Sequence, residues 1–139
     1  MWVADLYGAS VTELRASDGA LLGSFPVGNG PFGIVFDGAN VWVANDYDST
    51  VTELRASDGT QLGIFPIGYS VHRLAFDGTN ILATLTSRER VSRLLASDGS
   101  RRRPINVGDT PLEILFDGTS IWVTNVGSDT VSKISRTQK

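Results

Sequence analysis

Cysteine is absent from this chain, which excludes disulfides, thiolate metal sites and a cysteine nucleophile but leaves the redox compartment open. Histidine is reduced to one residue, His72. There is no surplus of positive charge: the formal net charge of −3 argues against a nucleic-acid partner, which selects strongly basic surfaces. No apolar run approaches the ~18 residues of a membrane helix, and the N-terminus has no signal-peptide pattern, so a soluble chain with no membrane partner is expected. No Gly-rich phosphate loop, zinc-ligand spacing or nucleophile elbow occurs. No segment carries a helical period of three to four. What remains is an ordinary globular balance, 41% apolar and 19% charged over 139 residues, with a high count of 15 glycines that points to many tight turns.

The chain is a repeat. Phe-Asp-Gly begins at Phe36, Phe76 and Phe116, and Ala-Ser-Asp-Gly begins at Ala16, Ala56 and Ala96, each at a spacing of 40 residues. VTELRASDG occurs twice, starting at Val11 and at Val51. Trp2, Trp42 and Trp122 share one phase, with Leu82 standing in the remaining unit. The period never slips, so every loop between units keeps its length. The unit boundaries predicted are 1–28, 29–68, 69–108 and 109–139, within a single domain.

Each unit holds four strand-like runs. In the best-formed one these are Phe32 to Phe36 (strand A), Val41 to Asn45 (B), Val51 to Arg55 (C) and Gln61 to Phe65 (D). Asp37-Gly38-Ala39-Asn40 and Ser57-Asp58-Gly59 supply the turns. The recurring Asp-Gly pairs at Asp18, Asp37, Asp58, Asp77, Asp98 and Asp117 are read as turn residues. Strand B is apolar on both faces: Val41 and Val43 point one way, Trp42 and Ala44 the other. A sheet covered on both sides, in four-stranded repeats of about 40 residues, is the pattern of a β-propeller; a lone sandwich alternates apolar with polar. The expected fold is therefore all-β, a propeller with about 3.5 blades, and no helix longer than one turn. Trp2, Trp42 and Trp122, with Phe36, Phe76 and Phe116, are its structural blade residues, each Trp wedged between neighbouring blades.

The units GPFGIVFDGANVWVAND and TVTELRASDGTQLGIFPIG resemble the YVTN/NHL-type bacterial propeller repeats, including those of virginiamycin B lyase-like proteins. The resemblance covers essentially the whole chain. It implies a propeller and, for the lyase-like members, an active site of His and Glu residues with a magnesium ion. His72 and Glu113 are the positions that match; a second active-site His has no counterpart. No cofactor is expected.

Propellers close with about four to eight blades. Strands here run B-C-D, A-B-C-D twice, then A-B-C, and Met1 stands where Val41, Ile81 and Ile121 stand. Two readings follow: the chain is part of a longer propeller, or it completes its ring with copies of itself. Self-association is preferred, most simply a two-fold dimer, because an open ring leaves strand edges and an apolar blade face in water.

Candidate binding residues lie where otherwise similar units diverge. At the ring end formed by the D-to-A loops, the equivalent positions read Phe32-Gly33, His72-Arg73 and Leu112-Glu113. His72, Arg73 and Glu113, with Tyr69, Asp109 and Asn29 on the surrounding loops, form the candidate ligand-binding set. Histidine can act as a base and arginine can hold an anion. The third unit is also unusually basic: Arg73, Arg88, Arg90, Arg93, Arg101, Arg102 and Arg103 are seven of the 12 Lys and Arg residues. Two explanations compete: an anion-binding patch, or charge and Pro blunting an exposed edge strand. The acidic loops Asp46 to Asp48 and Ser128-Asp129 lack the alternating carboxylates and Gly of a calcium site. A non-catalytic scaffold or binding module is the leading functional expectation. A lyase or hydrolase with an axial pocket is the first alternative. A lectin-like module using Tyr7, Tyr47 and Tyr69, with a glycan or small molecule at the axis, is the second.

Overall fold

A computed structural model describes residues 1–136; the last three positions of the fourth unit lie outside the described residues. Among the described residues there are 14 strands and one short 3-10 turn at Val126–Ser128. The first sheet contains β1 (Trp2–Asp5), β2 (Ser10–Leu14) and β3 (Leu21–Pro26). The second contains β4 (Pro31–Phe36), β5 (Asn40–Asn45), β6 (Thr50–Arg55) and β7 (Gln61–Pro66). The third contains β8 (Val71–Phe76), β9 (Asn80–Leu85), β10 (Arg90–Leu95) and β11 (Arg101–Asn106). The fourth contains β12 (Pro111–Phe116), β13 (Ser120–Asn125) and β14 (Thr130–Ser135). Every sheet is an antiparallel meander, and β4, β8 and β12 lie against one another across successive sheets. These are the inner strands of the last three of four stacked blades.

The Asp-Gly turns explain why the strands reverse where they do. Gly19, Gly38, Gly59, Gly78, Gly99 and Gly118 all have positive φ, which costs glycine nothing and any side chain a steric penalty. The preceding carboxylate caps the turn: Asp37 Oδ1 accepts from the N–H groups of Ala39 and Asn40, and Asp77 and Asp117 do the same in their units. The other oxygen of Asp37 accepts from Trp42 Nε1 at 2.7 Å, and Asp117 accepts from Trp122 Nε1 at the same distance. Where the third unit has Leu82 instead of Trp, Asp77 takes Asn80 Nδ2 at 3.0 Å. The N–H of Ser120, then the Trp122 indole and the N–H of Thr119, hold the Asp117 carboxyl down to about 2 from 3.8. A depressed carboxyl stabilises the fold above its unfolded value and loses that contribution as pH falls. Melting curves are therefore expected to show wild type losing stability between pH 3.8 and about 2 by more than Asp117→Asn does; parallel curves would exclude this role.

Successive sheets bury their facing side chains. Trp42, Ala44 and Val51 leave the second sheet to meet Val71, Leu74, Ile81 and Leu94 of the third. Leu82 and Val91 leave the third to meet Ile114, Ile121 and Val123 of the fourth. Trp2 and Ala4 meet Val41, Val43 and Leu54 in the same way. Each Trp thus faces the blade that follows it. Trp2 and Trp42 are wedged as expected, with Phe25 and Phe65 at 5.5 Å from their rings. Trp122 is a correction: among the described residues no later sheet covers it, and it is half-buried beside Lys133, whose Nζ lies 4.9 Å from the ring. Phe36 is another. Phe76 and Phe116 pack back against the preceding unit's core, but Phe36 is 56% exposed because the sheet before it has no inner strand.

Candidate functional site

All three complete A–B pairings slip register at the same place, between Pro31 and Ile34, Val71 and Leu74, and Pro111 and Ile114. Two residues there oppose one on the partner strand, a β-bulge, which re-aims side chains and frees an N–H from the ladder. The bulged pairs are Phe32-Gly33, His72-Arg73 and Leu112-Glu113, the positions at which the units diverge. Thr84 and Thr124 satisfy the freed donors: their Oγ1 atoms accept from the N–H groups of Arg73 and Glu113, both at 3.0 Å. Thr84 Oγ1 in turn donates to the Leu112 carbonyl at 3.0 Å, tying the third blade to the fourth.

The bulges bring His72, Arg73 and Glu113 together along the inner strands. The His72 ring stacks on Phe32 with centroids 3.9 Å apart. Arg73 lies over the same Phe32 ring at 4.4 Å, and its Nε donates to Glu113 Oε1 at 2.9 Å. Burial holds the His72 imidazole below its ordinary pKa, opposed by Asp46, and its Nδ1 is buried without a hydrogen-bond partner. This packing depends on Gly33, where a Cβ would stand 2.7 Å from the His72 carbonyl oxygen and 2.9 Å from Arg73 Cα. Those atoms are backbone and cannot swing away. Gly33→Ala is expected to cost about 1–3 kcal/mol by overpacking, read as a lower urea midpoint; an unchanged midpoint would mean the inner strands are not in register contact.

The outlying candidates go elsewhere. Asn29 is held by Asp48, whose carboxylate accepts from its backbone N–H at 2.8 Å and its Nδ2 at 3.0 Å. Tyr69 lies under the guanidinium of Arg88 at 4.4 Å; all three of Tyr7, Tyr47 and Tyr69 are exposed. Tyr69 and Asp109 line a cavity of about 550 Å³ at the B-to-C end of the third sheet, together with Arg88, Arg90, Arg101 and Arg102. His72, Arg73 and Glu113 do not line it. These arginines were visible in the sequence as a basic run, but their convergence depends on a loop and an edge strand meeting in space.

The His72 and Glu113 pair does not suit a magnesium ion. Glu113 already binds Arg73, so a cation stands beside that carboxylate, and His72 is stacked on Phe32. Among the described residues no group of three or more His, Asp or Glu could hold a metal. No helix among them is long and apolar enough to cross a membrane.

Four radially stacked antiparallel sheets, tied through bulged inner strands, define the class as β-propeller. Solved structures agree. Hydrazine synthase from Kuenenia stuttgartiensis superposes with a TM-score of 0.87 at 19% identity, over 96% of this chain and 42% of that one. Virginiamycin B lyase from Staphylococcus aureus gives 0.81 at 18% identity, over 96% of this chain and 47% of the lyase. A streptogramin B lyase gives 0.76 at 15%, over 99% and 51%. This chain therefore spans about half the length of these propellers, and at such identities the likeness is one of fold. No protein-family model matches the chain, and neither does any curated protein.

Proposed function

We propose that this chain is a non-catalytic β-propeller binding module that completes its ring by pairing head to tail with a second copy in a two-fold dimer. One observation carries the reading: positions sealed at the internal blade junctions lie open on the two end sheets. Trp42, Ala44 and Val51 are fully buried between the second and third sheets. Their counterparts on the fourth sheet are the half-buried Trp122, the exposed Thr124 and Val131, which is 61% exposed, with Leu115 beside them at 55%. On the first sheet Met1 and Val3 take the places of Val41 and Val43 and are likewise exposed.

One end presents the forward face of a blade and the other presents the backward face. A fit between them is supported by the internal junctions, where Trp, Ala and Val of one sheet meet Val, Ile and Leu of the next. A two-fold pair makes this contact twice and leaves no open face. The ion-paired Glu113 and stacked His72 favour a structural role for the inner strands over catalysis. The test is solution mass by light scattering on this chain. Twice the chain mass of 14.9 kDa is expected, and a folded monomer in dilute solution would overturn the proposal.

The partnerless His72 Nδ1 favours one further reading, an enzyme of lyase or hydrolase type with its pocket on the inner strands. In that case His72→Ala and Glu113→Ala would abolish turnover while leaving the melting temperature nearly unchanged.

A further inference from the structure

The cavity in the third sheet arises from one local departure from the repeat. In the second unit Asn45 Nδ2 donates to Thr50 Oγ1 at 3.1 Å and to Thr52 Oγ1 at 2.8 Å. In the fourth, Asn125 Nδ2 donates to Thr130 at 3.1 Å and Ser132 at 2.9 Å. This bracket fills the end of the sheet, so a Cβ on Gly28 or Gly108 of the preceding loop would meet the Asn side chain at 2.7 Å. In the third unit the bracket residues are Leu85, Arg90 and Ser92. The equivalent loop glycine, Gly68, turns to a positive φ of 84°, so the loop itself runs differently, and nothing lies within 4 Å of its Cβ position. The loop contact changes with it. Asn29 is bound to Asp48, and the Asp109 N–H donates to Ser128 Oγ, but the third unit places Tyr69 against Arg88.

The space so opened is lined with cations in a chain of net negative charge. Four arginines face Glu89 and Asp109, which leaves a surplus of two positive charges. None of the four is in an ion pair among the described residues, and, behind the hydrogen bonds from Ser100, Arg102 alone of them helps to lower a carboxyl, that of Asp98. Two are held in place by neutral partners: Arg88 by the Tyr69 ring, and Arg101 by the Ile67 carbonyl, to which its Nη2 donates at 3.0 Å. Pre-placed guanidinium forks with free N–H groups recognise tetrahedral oxyanions in bidentate fashion. Leu85, Pro104 and the Tyr69 ring add an apolar wall, and about 550 Å³ is the size of a small-molecule site. An edge-blunting role accounts for charge on the strand but not for the loss of the Asn bracket or for the cavity behind it.

We propose that this cavity binds a small organic phosphate, a dianionic phosphomonoester whose apolar portion rests on Leu85 and Pro104. All the lining residues belong to one chain, so the proposal stands whether or not the ring closes by dimerisation. The probe is phenyl phosphate, followed by titration calorimetry at low ionic strength. Saturable one-to-one binding is expected. Arg88→Gln with Arg90→Gln is expected to weaken it roughly tenfold or more, since each removes a charge-assisted hydrogen bond. Arg15→Gln with Arg55→Gln changes the net charge equally outside the cavity and is expected to leave affinity unaltered.

No saturable heat at millimolar phenyl phosphate would overturn the site. So would equal weakening by both double variants, which would indicate diffuse charge attraction, and so would benzoate binding as tightly as phenyl phosphate. Should the cavity variant fail to fold by circular dichroism, wild type decides the matter. Phenyl phosphate is expected to protect Arg88 and Arg90 from phenylglyoxal while Arg15 and Arg55 still react, and equal labelling of all four would sink the idea.

Discussion

Leu115→Asp combined with Trp122→Asp is expected to leave a folded monomer of 14.9 kDa in place of the proposed dimer. Both positions lie on the open forward face of the fourth sheet, where a second copy's Met1 and Val3 would cover them. Burying one large apolar side chain is worth about 1.5–3 kcal/mol. Two side chains at each of two junctions would therefore cost about 6–12 kcal/mol, at least four decades in the dimer constant. The added carboxylates would deepen the loss, because an unpaired charge is costly to desolvate. Tyr47→Asp with Leu62→Asp is the control: both side chains are exposed, on a loop and an outer strand away from the end faces, and the dimer mass is expected to persist. A dimer that survives the first pair, or dissolves equally with the second, would place the interface elsewhere.

Trp42→Ala and Trp122→Ala are expected to differ widely in cost although the sequence presents them as equivalents. Trp42 has no solvent exposure; it packs on the third sheet, pairs with Phe65 and donates to Asp37. Its truncation leaves a cavity between two blades and an acceptor without its donor, a loss of about 3–5 kcal/mol. That is a large share of the stability of a domain this size, about 0.05–0.15 kcal/mol per residue. Within one chain Trp122 gives up the Asp117 hydrogen bond and the Lys133 contact, a loss of about 1 kcal/mol. Urea unfolding at concentrations low enough to dissociate the proposed dimer separates the two. Equal midpoints there would mean the fourth sheet's forward face is covered within the chain. A deficit for Trp122→Ala that grows with protein concentration is the further signature of a junction made between copies.

Much of the blade was legible before any coordinates. The 40-residue spacing of Phe-Asp-Gly and Ala-Ser-Asp-Gly located the A-to-B and C-to-D turns, since a carboxylate cap followed by a positive-φ glycine is a local device. Strand phase was equally local: with Val41, Val43 and Trp42, Ala44 on opposite faces, period-two geometry alone makes both sides of the sheet apolar. The arginine run of the third unit was also plain, as was the divergence at His72-Arg73 and Leu112-Glu113.

The rest depended on what lies beside each sheet. Trp42 and Trp122 have the same phase and the same Asp partner, yet one is sealed and the other half open, because burial is set by the next blade and not by the residue. Phe36 is bare for the mirror-image reason. The inner-strand bulges bring Arg73 to Glu113 across 40 positions, a contact that exists only once two blades stack. The cavity follows the same logic: Leu85, Arg90 and Ser92 read singly as drift, and only the fold shows that these replacements of the Asn bracket line one cavity. Local chemistry along the chain determined the turns, the strands and the two apolar faces; tertiary stacking alone decided which of those faces are buried and which arginines meet, because both are distances between segments that the chain leaves far apart.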